Sequence, residues 1–292
     1  MGDLRHILES VRPVAEGSRD ERIAHLRTDR WIDYPRAADA LKRLEDHLST
    51  PPRTRMPCLL IHGDSDMGKS MLVEKFRRAH RPSYNRHQGV EQIEIIAIQM
   101  PPRPSERRIY GNLLQALGAP FRPGDRLDSL EFITLSLLRR LKPKMIVVDE
   151  VHHLLAGTPR EQRTALNLLK FLSNDLHCSI VALGTHDALV AMQSDAQIAS
   201  RFAPLELPHW HESDELRQFL AAFEKTLPLR ERSNLADREM VNLLLASSDG
   251  ITGSITKAIV ACACRAIQLG QECLSPALLR SELNIGTTGT SS

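Results

Sequence analysis

Gly63-Asp64-Ser65-Asp66-Met67-Gly68-Lys69-Ser70 is the stretch that decides the fold of this chain. It fits the phosphate-loop pattern G-x-x-x-x-G-K-[ST]. An apolar run, Cys58-Leu59-Leu60-Ile61, precedes it, and a helix-like segment, Met71-Leu72-Val73-Glu74-Lys75-Phe76, follows. A strand before and a helix after are the context in which the pattern carries meaning. Glycines let backbone N–H groups turn inward on phosphate oxygens, and a helix N-terminus adds a favourable partial positive charge. The loop from Gly63 to Ser70 therefore predicts a nucleoside triphosphate site. Lys69 would reach the β and γ phosphates, and the Ser70 hydroxyl would hold Mg²⁺.

Outward from the loop, short apolar runs alternate with amphipathic stretches. Glu94-Ile95-Ile96-Ala97-Ile98-Gln99 reads as a second strand, stopped by Pro101-Pro102. Met145-Ile146-Val147-Val148-Asp149 reads as a third and Ile180-Val181-Ala182-Leu183-Gly184 as a fourth. Ala203-Pro204-Leu205-Glu206-Leu207 is a candidate fifth. Helical patterns cover 107–117, 127–141 and 160–176 between them. This alternation predicts an α/β fold with a five-stranded parallel sheet flanked by helices. Before it, residues 1–50 form a helical extension that includes an amphipathic helix from Ala37 to Leu48. The nucleotide-binding core then runs over 51–207. After Pro208 the strand signals stop, and helical stretches near 213–226, 236–247 and 253–269 give a C-terminal helical lid over 208–285. The Gly/Ser/Thr-rich residues 286–292 are expected to be a disordered tail.

The acids and bases at the strand ends suggest chemistry. Asp149-Glu150 ends the third strand after four apolar residues. In a phosphate-loop enzyme a carboxylate there serves the magnesium shell, which assigns Asp149. Its neighbour Glu150 can orient and deprotonate an attacking water. Thr185, with His186 second to it, stands where a polar group would meet the γ-phosphate or that water. Arg201, in Ser200-Arg201-Phe202, is placed to act in trans on a neighbouring subunit's nucleotide, and its alternative is an exposed arginine paired with a nearby acid. Lys257 is the basic candidate for the γ-phosphate in Gly250-Ile251-Thr252-Gly253-Ser254-Ile255-Thr256-Lys257. Tyr34, with Trp31, either flanks an adenine or packs a core.

Composition bounds the class. A hydrophobic fraction of 42%, a charged fraction of 25% and a net charge of +2 are those of an ordinary globular protein. No apolar run approaches the roughly 18 residues that span a bilayer, so no membrane is expected. The first residues lack the apolar core of a secretory signal. Five cysteines without a paired framework read as reduced, mostly buried thiols, which points to the cytoplasm. Lys75, Arg77, Arg78, Arg81 and Arg86 fall in a stretch without carboxylates, and Arg103, Arg107 and Arg108 follow. Such runs serve either a polyanion or a solvated face.

The order of phosphate loop, Asp149-Glu150, Thr185, Ser200-Arg201-Phe202 and helical lid resembles the AAA+ P-loop ATPases. Two other stretches are more specific: His25-Leu26-Arg27-Thr28-Asp29-Arg30-Trp31-Ile32-Asp33-Tyr34-Pro35-Arg36 and Pro51-Pro52-Arg53-Thr54-Arg55-Met56-Pro57. Both are similar to the TniB family of bacterial transposition regulators, relatives of TnsC and MuB, over about residues 20–285. The resemblance implies an ATP- and Mg²⁺-dependent ATPase that assembles as a ring or helical filament on double-stranded DNA without sequence preference. It implies recruitment and activation of a DDE transposase, with hydrolysis driving disassembly, in a bacterial cytoplasm and on the nucleoid when DNA is bound. It makes Arg201 the finger across the subunit interface and gives Arg103, Arg107 and Arg108 weight as DNA contacts.

Two departures stand out. Asp64 and Asp66 put carboxylates in a loop where relatives carry neutral polar residues, which repel a triphosphate unless they face away. Thr256 and Lys257 stand where many AAA+ proteins have an arginine. Two rival functions fit the same motifs: an ATPase that loads or remodels replication proteins on DNA, and a nucleotide-gated signalling switch without DNA.

Overall fold

The computed structural model describes residues 4–85, 90–122, 124–193 and 196–283. Two compact units emerge. One holds the described residues of Asp39–Ser65 and Lys69–Pro208, and the other those of Met1–Ala38, Asp66–Gly68 and His209–Ser292.

The first unit is built on a five-stranded sheet of β1 (Cys58–His62), β4 (Ile95–Gln99), β5 (Met145–Asp149), β6 (Ser179–Gly184) and β7 (Phe202–Glu206). Their order is β4-β5-β6-β1-β7, with every pairing parallel. Strands covered on both faces carry near-continuous apolar runs, as β1, β5 and β6 do apart from His62, Asp149 and Ser179 at their ends, and this is why the sequence reveals them. Pro204 cannot donate to a ladder, and β7 takes it at the sheet edge, paired only with β1. A short antiparallel hairpin, β2 (Ser83–Asn85) with β3 (Val90–Gln92), precedes β4 and has no signal among the expected strands. Part of the basic run, Arg86, lies outside the described residues.

Helices α4 (Lys69–Ala79), α5 (Glu106–Ala116), α6 (Leu127–Leu141) and α7 (Pro159–Leu176) flank this sheet. α5, α6 and α7 each bury leucines; Leu113, Leu138, Leu169 and Leu172 are in one core with Ile146, Val148 and Ile180, while α4 buries Leu72, Val73 and Phe76. Thr158 and Glu161 form a reciprocal capping box at the start of α7, which satisfies two otherwise orphan N–H groups. Cys58 and Cys178 are buried here, and burial pushes the Cys178 thiol up to about 12, so both are inert.

The second unit is helical. Short helices α1 (Arg12–Glu16) and α2 (Arg19–Leu26) join α10 (Asp214–Glu224), α11 (Arg238–Ser248), α12 (Thr252–Leu269) and α13 (Pro276–Glu282). The division differs from the linear one expected, in which residues 1–50 stand apart as an extension. Leu26 and Ile32 share a core with Phe219, Leu244 and Ile259, and buried Arg22 pairs with Glu272 at 2.5 Å. α13 adds a helix beyond the three expected. The anticipated disordered tail, 286–292, lies outside the described residues. No single helix among the described residues is long and apolar enough to cross a membrane. α11 and α12 together reach that length but bend by 116°, and their apolar faces fill the helical core.

Candidate nucleotide-binding site

The loop leaves the carboxyl end of β1, between β6 and β7 in the sheet, and parallel α/β sheets bind their ligands at that end. His62 registers with Gly184 of β6, and Val148 of β5 registers with Ala182, so the ends of β1, β5 and β6 lie side by side. Gly63 and Gly68 have φ of 153° and 89°, in the region that favours glycine. A Cβ on Gly63 would also stand 2.5 Å from the Leu207 carbonyl oxygen, so no other residue fits there. Lys69 is buried, and its ammonium donates to the carbonyls of Gly63 at 2.8 Å and Asp64 at 2.7 Å. Ser65 is exposed and Met67 is 2% exposed, so the two sides of the loop are chemically distinct.

The Ser70 hydroxyl donates to Asp149 Oδ2 at 2.7 Å, and the Glu150 N–H donates to Oδ1 at 2.8 Å. Both oxygens of Asp149 are thereby oriented. A hydroxyl beside a carboxylate is an all-oxygen donor set, the kind Mg²⁺ takes, so these two residues fit the ion the loop implies. Glu150 itself is in the left-handed region, φ 56°, and caps a two-turn 3-10 segment, Val151–Ala156. For a non-glycine residue that conformation is uncommon and is concentrated at functional sites. The turn carries His152 back to the carboxylate, with Nε2 3.1 Å from Glu150 Oε2.

Thr185 stands at the end of β6 with its hydroxyl buried and unpartnered among the described residues. Such orphans are rare in folded proteins. Next to it, His186 is exposed and its ring lies 5.4 Å from that of His62. Burial pushes the His62 imidazole below its usual range, with Lys69 and His186 adding to the effect against Glu206.

Arg201 is half-buried, and its Nη1 donates to Asn174 Oδ1 at 2.6 Å. Its carbonyl accepts from the Cys58 N–H at 3.1 Å, which ties the residue to the start of β1. Arg103 is exposed in the segment after β4, and Arg107 and Arg108 are exposed on the first turn of α5. Arg107 also donates to the Asp125 carbonyl. In the earlier basic run, Glu74 sits just ahead of the stretch and pairs with Arg77 at 3.5 Å and Arg78 at 2.9 Å. Part of that charge is therefore neutralised.

In the helical unit, Asp66 has φ 63°, its carbonyl accepts from the Gly253 N–H at 2.8 Å, and its carboxylate meets Lys257 Nζ at 2.5 Å. One of the two loop acids thus has a cationic partner, and the basic residue expected at the γ-phosphate occupies that role. Asp64 contributes its carbonyl to Lys69. Tyr34 packs against Trp210 and Phe219, with ring centroids 5.4 and 5.2 Å away, and burial raises its phenol. Of the two roles the sequence left open, packing is the one its contacts serve. The sequence reading missed His62, His152, His153 and Asn174. The two adjacent histidines, one residue beyond Asp149-Glu150, were the available signal.

Comparison with solved structures places the fold among the AAA+ P-loop ATPases. Aeropyrum pernix ORC1 in complex with DNA matches at TM-score 0.65 and 18% identity, over 89% of this chain and 68% of that one. Aeropyrum pernix ORC2, solved as ADPNP-ADP complexes, matches at TM-score 0.60 and 16% identity, over 91% and 72%. The Thermotoga maritima RuvB Holliday junction branch migration motor matches at TM-score 0.53 and 12% identity, over 89% and 73%. No curated protein sequence matches the chain. The family model described as "Bacterial TniB protein" matches residues 22–212, a span that holds the phosphate loop, Asp149-Glu150, Thr185 and Arg201. The chain belongs to the TniB family.

Proposed function

We propose that this chain is an ATP-dependent DNA-binding regulator of transposition. It hydrolyses ATP with Mg²⁺, oligomerises as a ring or filament on target DNA, and recruits and activates a DDE transposase. The observation that carries the reading is the join of Ser70 to Asp149, with Glu150 beside it, at the mouth of a phosphate loop. When bound, Mg²⁺ would offset charge on the β and γ phosphates. Lys69 holds the phosphates by point charge, and Ser70 and Asp149 supply oxygens for the ion. Glu150 accepts a proton from the attacking water, and the unpartnered Thr185 hydroxyl donates to the γ-phosphate or orients that water. Arg201 acts on a neighbouring subunit's nucleotide, where it offsets charge on the transferring phosphoryl group. Hydrolysis then releases the DNA-bound assembly. The chain works in the bacterial cytoplasm, on the nucleoid when DNA is bound.

Duplex binding falls to Arg103, Arg107 and Arg108, which are exposed on consecutive segments of one unit. Support for DNA comes from the TniB family and from a protein of the same fold solved in complex with DNA. Contacts of this kind read phosphates rather than bases, so affinity depends on salt more than on sequence. The test is duplex binding with and without ATP across a salt series. Wild type binds unrelated duplexes about equally and only with ATP. Replacing the three arginines by alanine weakens all duplexes alike and lowers the log–log salt slope by about 0.9 per lost contact. An unchanged slope removes these residues from the DNA surface.

A further inference from the structure

The turn after Asp149 brings three ligand-type side chains together. Glu150, His152 and His153, all half-buried, each offer one donor atom, and the three atoms lie within 4.8 Å of one another. The His152 and His153 rings are 4.8 Å apart at 60°. His153 Nδ1 lies 3.0 Å from the Met100 carbonyl oxygen, which only accepts, so in the neutral ring that nitrogen carries the proton and Nε2 keeps its lone pair for a ligand bond. A backbone carbonyl that fixes the tautomer in this way is the usual support of a metal-ligating histidine. His152 Nε2 stands 3.1 Å from Glu150 Oε2. Two ligands across a tetrahedral ion with bonds of about 2.0 Å are about 3.3 Å apart, so this pair needs almost no movement.

The donor set also selects the ion. Two imidazoles and a carboxylate suit Zn²⁺, Co²⁺ or Ni²⁺, whereas Mg²⁺ takes oxygen, as the separate Ser70–Asp149 pair offers. Three protein ligands leave a fourth position for water or a phosphate oxygen. We propose that Glu150, His152 and His153 bind a transition-metal dication of the Zn²⁺ class, and that its binding switches off ATP hydrolysis. A carboxylate oxygen committed to the ion no longer accepts the proton of the attacking water, while Lys69 and Ser70 still hold nucleotide. The regulatory half rests on the reading of Glu150 as the base; the site itself does not.

Two measurements on the full chain separate those halves. Co²⁺ titration without nucleotide gives one ion per chain and the intense visible bands of a four-coordinate site. His153→Asn keeps an amide N–H for the Met100 carbonyl but removes the imidazole, and weakens Co²⁺ and Zn²⁺ binding by at least about tenfold, as does His152→Ala. Equal affinity in wild type and both variants overturns the site and leaves a plain histidine–carboxylate pair. In the second arm, turnover in Mg²⁺ is compared with and without micromolar Zn²⁺, each protein against its own Zn²⁺-free rate. Wild type loses turnover and a chelator restores it, while His153→Asn keeps most of its own. Equal inhibition of both overturns the switch. Should Glu150→Gln hydrolyse ATP at the wild-type rate, the base assignment and the switch fall together, and the Co²⁺ titration still decides the site.

Discussion

Ser70 and Asp149, 79 residues apart, meet in a hydrogen bond of 2.7 Å from the hydroxyl to Oδ2. The contact joins the first turn of α4 to the end of β5, two strands away from β1 in the sheet. Ser70→Ala removes one oxygen for Mg²⁺ and one partner of a carboxylate, and hydrogen bonds to charged groups are worth about 1.5–3 kcal/mol. Affinity for ATP in Mg²⁺ is expected to fall about tenfold to a hundredfold, with thermal stability little changed because Ser70 is exposed. Calorimetric titration checks it; unaltered affinity would detach Ser70 from the ion.

Asp66 has its cation in Lys257, and the pair is exposed, 54% and 72% by side chain. Exposed ion pairs contribute little to folding, so Lys257→Ala leaves the melting temperature within a degree or two. It strips the partner from a carboxylate in the phosphate loop, so ATP affinity falls. Replacing Asp66 by alanine in the same chain recovers it. If the double variant binds no better than Lys257→Ala, the lysine acts on nucleotide directly.

Two half-buried or buried histidines set an acid limit to stability. His47 lies 3.1 Å from Ser179 Oγ, and burial pushes its imidazole below its usual range, as it does for His62. The unfolded chain takes up protons near pH 6.5 while the folded one still excludes them. Each histidine therefore contributes stability that is present above about pH 6.5 and is lost as pH falls from there through the depressed folded value. Denaturant titrations between pH 8 and 5 test this, and His47→Gln should flatten the decline. A stability that rises on acidification would contradict it.

Arg201 is held by Asn174 in the isolated chain. Acting on a neighbour's nucleotide, such an arginine is worth about 10³–10⁵ in rate. Arg201→Ala keeps a whole nucleotide site without the finger, and Lys69→Ala keeps the finger without the site. Each alone is inactive, and a mixture regains part of the ATPase activity. Normal turnover by Arg201→Ala on DNA rules out the trans mechanism.

The parts of the molecule legible in the sequence are those whose local chemistry is decisive. β1, β5 and β6 are apolar runs because both faces are buried, and the phosphate loop depends on glycines at Gly63 and Gly68 that its backbone demands. The hairpin β2–β3 escaped because three-residue strands give too short an alternation. α13 escaped for a related reason: seven residues are about two helical turns, too few for the period to show. Grouping of α2 with the distant C-terminal helices, and the Asp66–Lys257 pair across 191 residues, depend on tertiary packing that no local pattern encodes. His152 was in plain view, but its approach to Glu150 follows from the left-handed backbone of Glu150 and the tight turn after it.

The measurement closest to the central claim pairs ATP turnover with the lifetime of the DNA complex in wild type and Glu150→Gln. Nucleotide affinity is expected to stay near that of wild type, because Lys69, Ser70 and Asp149 remain. Turnover should fall by two or more orders of magnitude, about what a positioned general base contributes, and DNA complexes formed with ATP should persist. Wild-type turnover with unchanged dissociation would contradict the account.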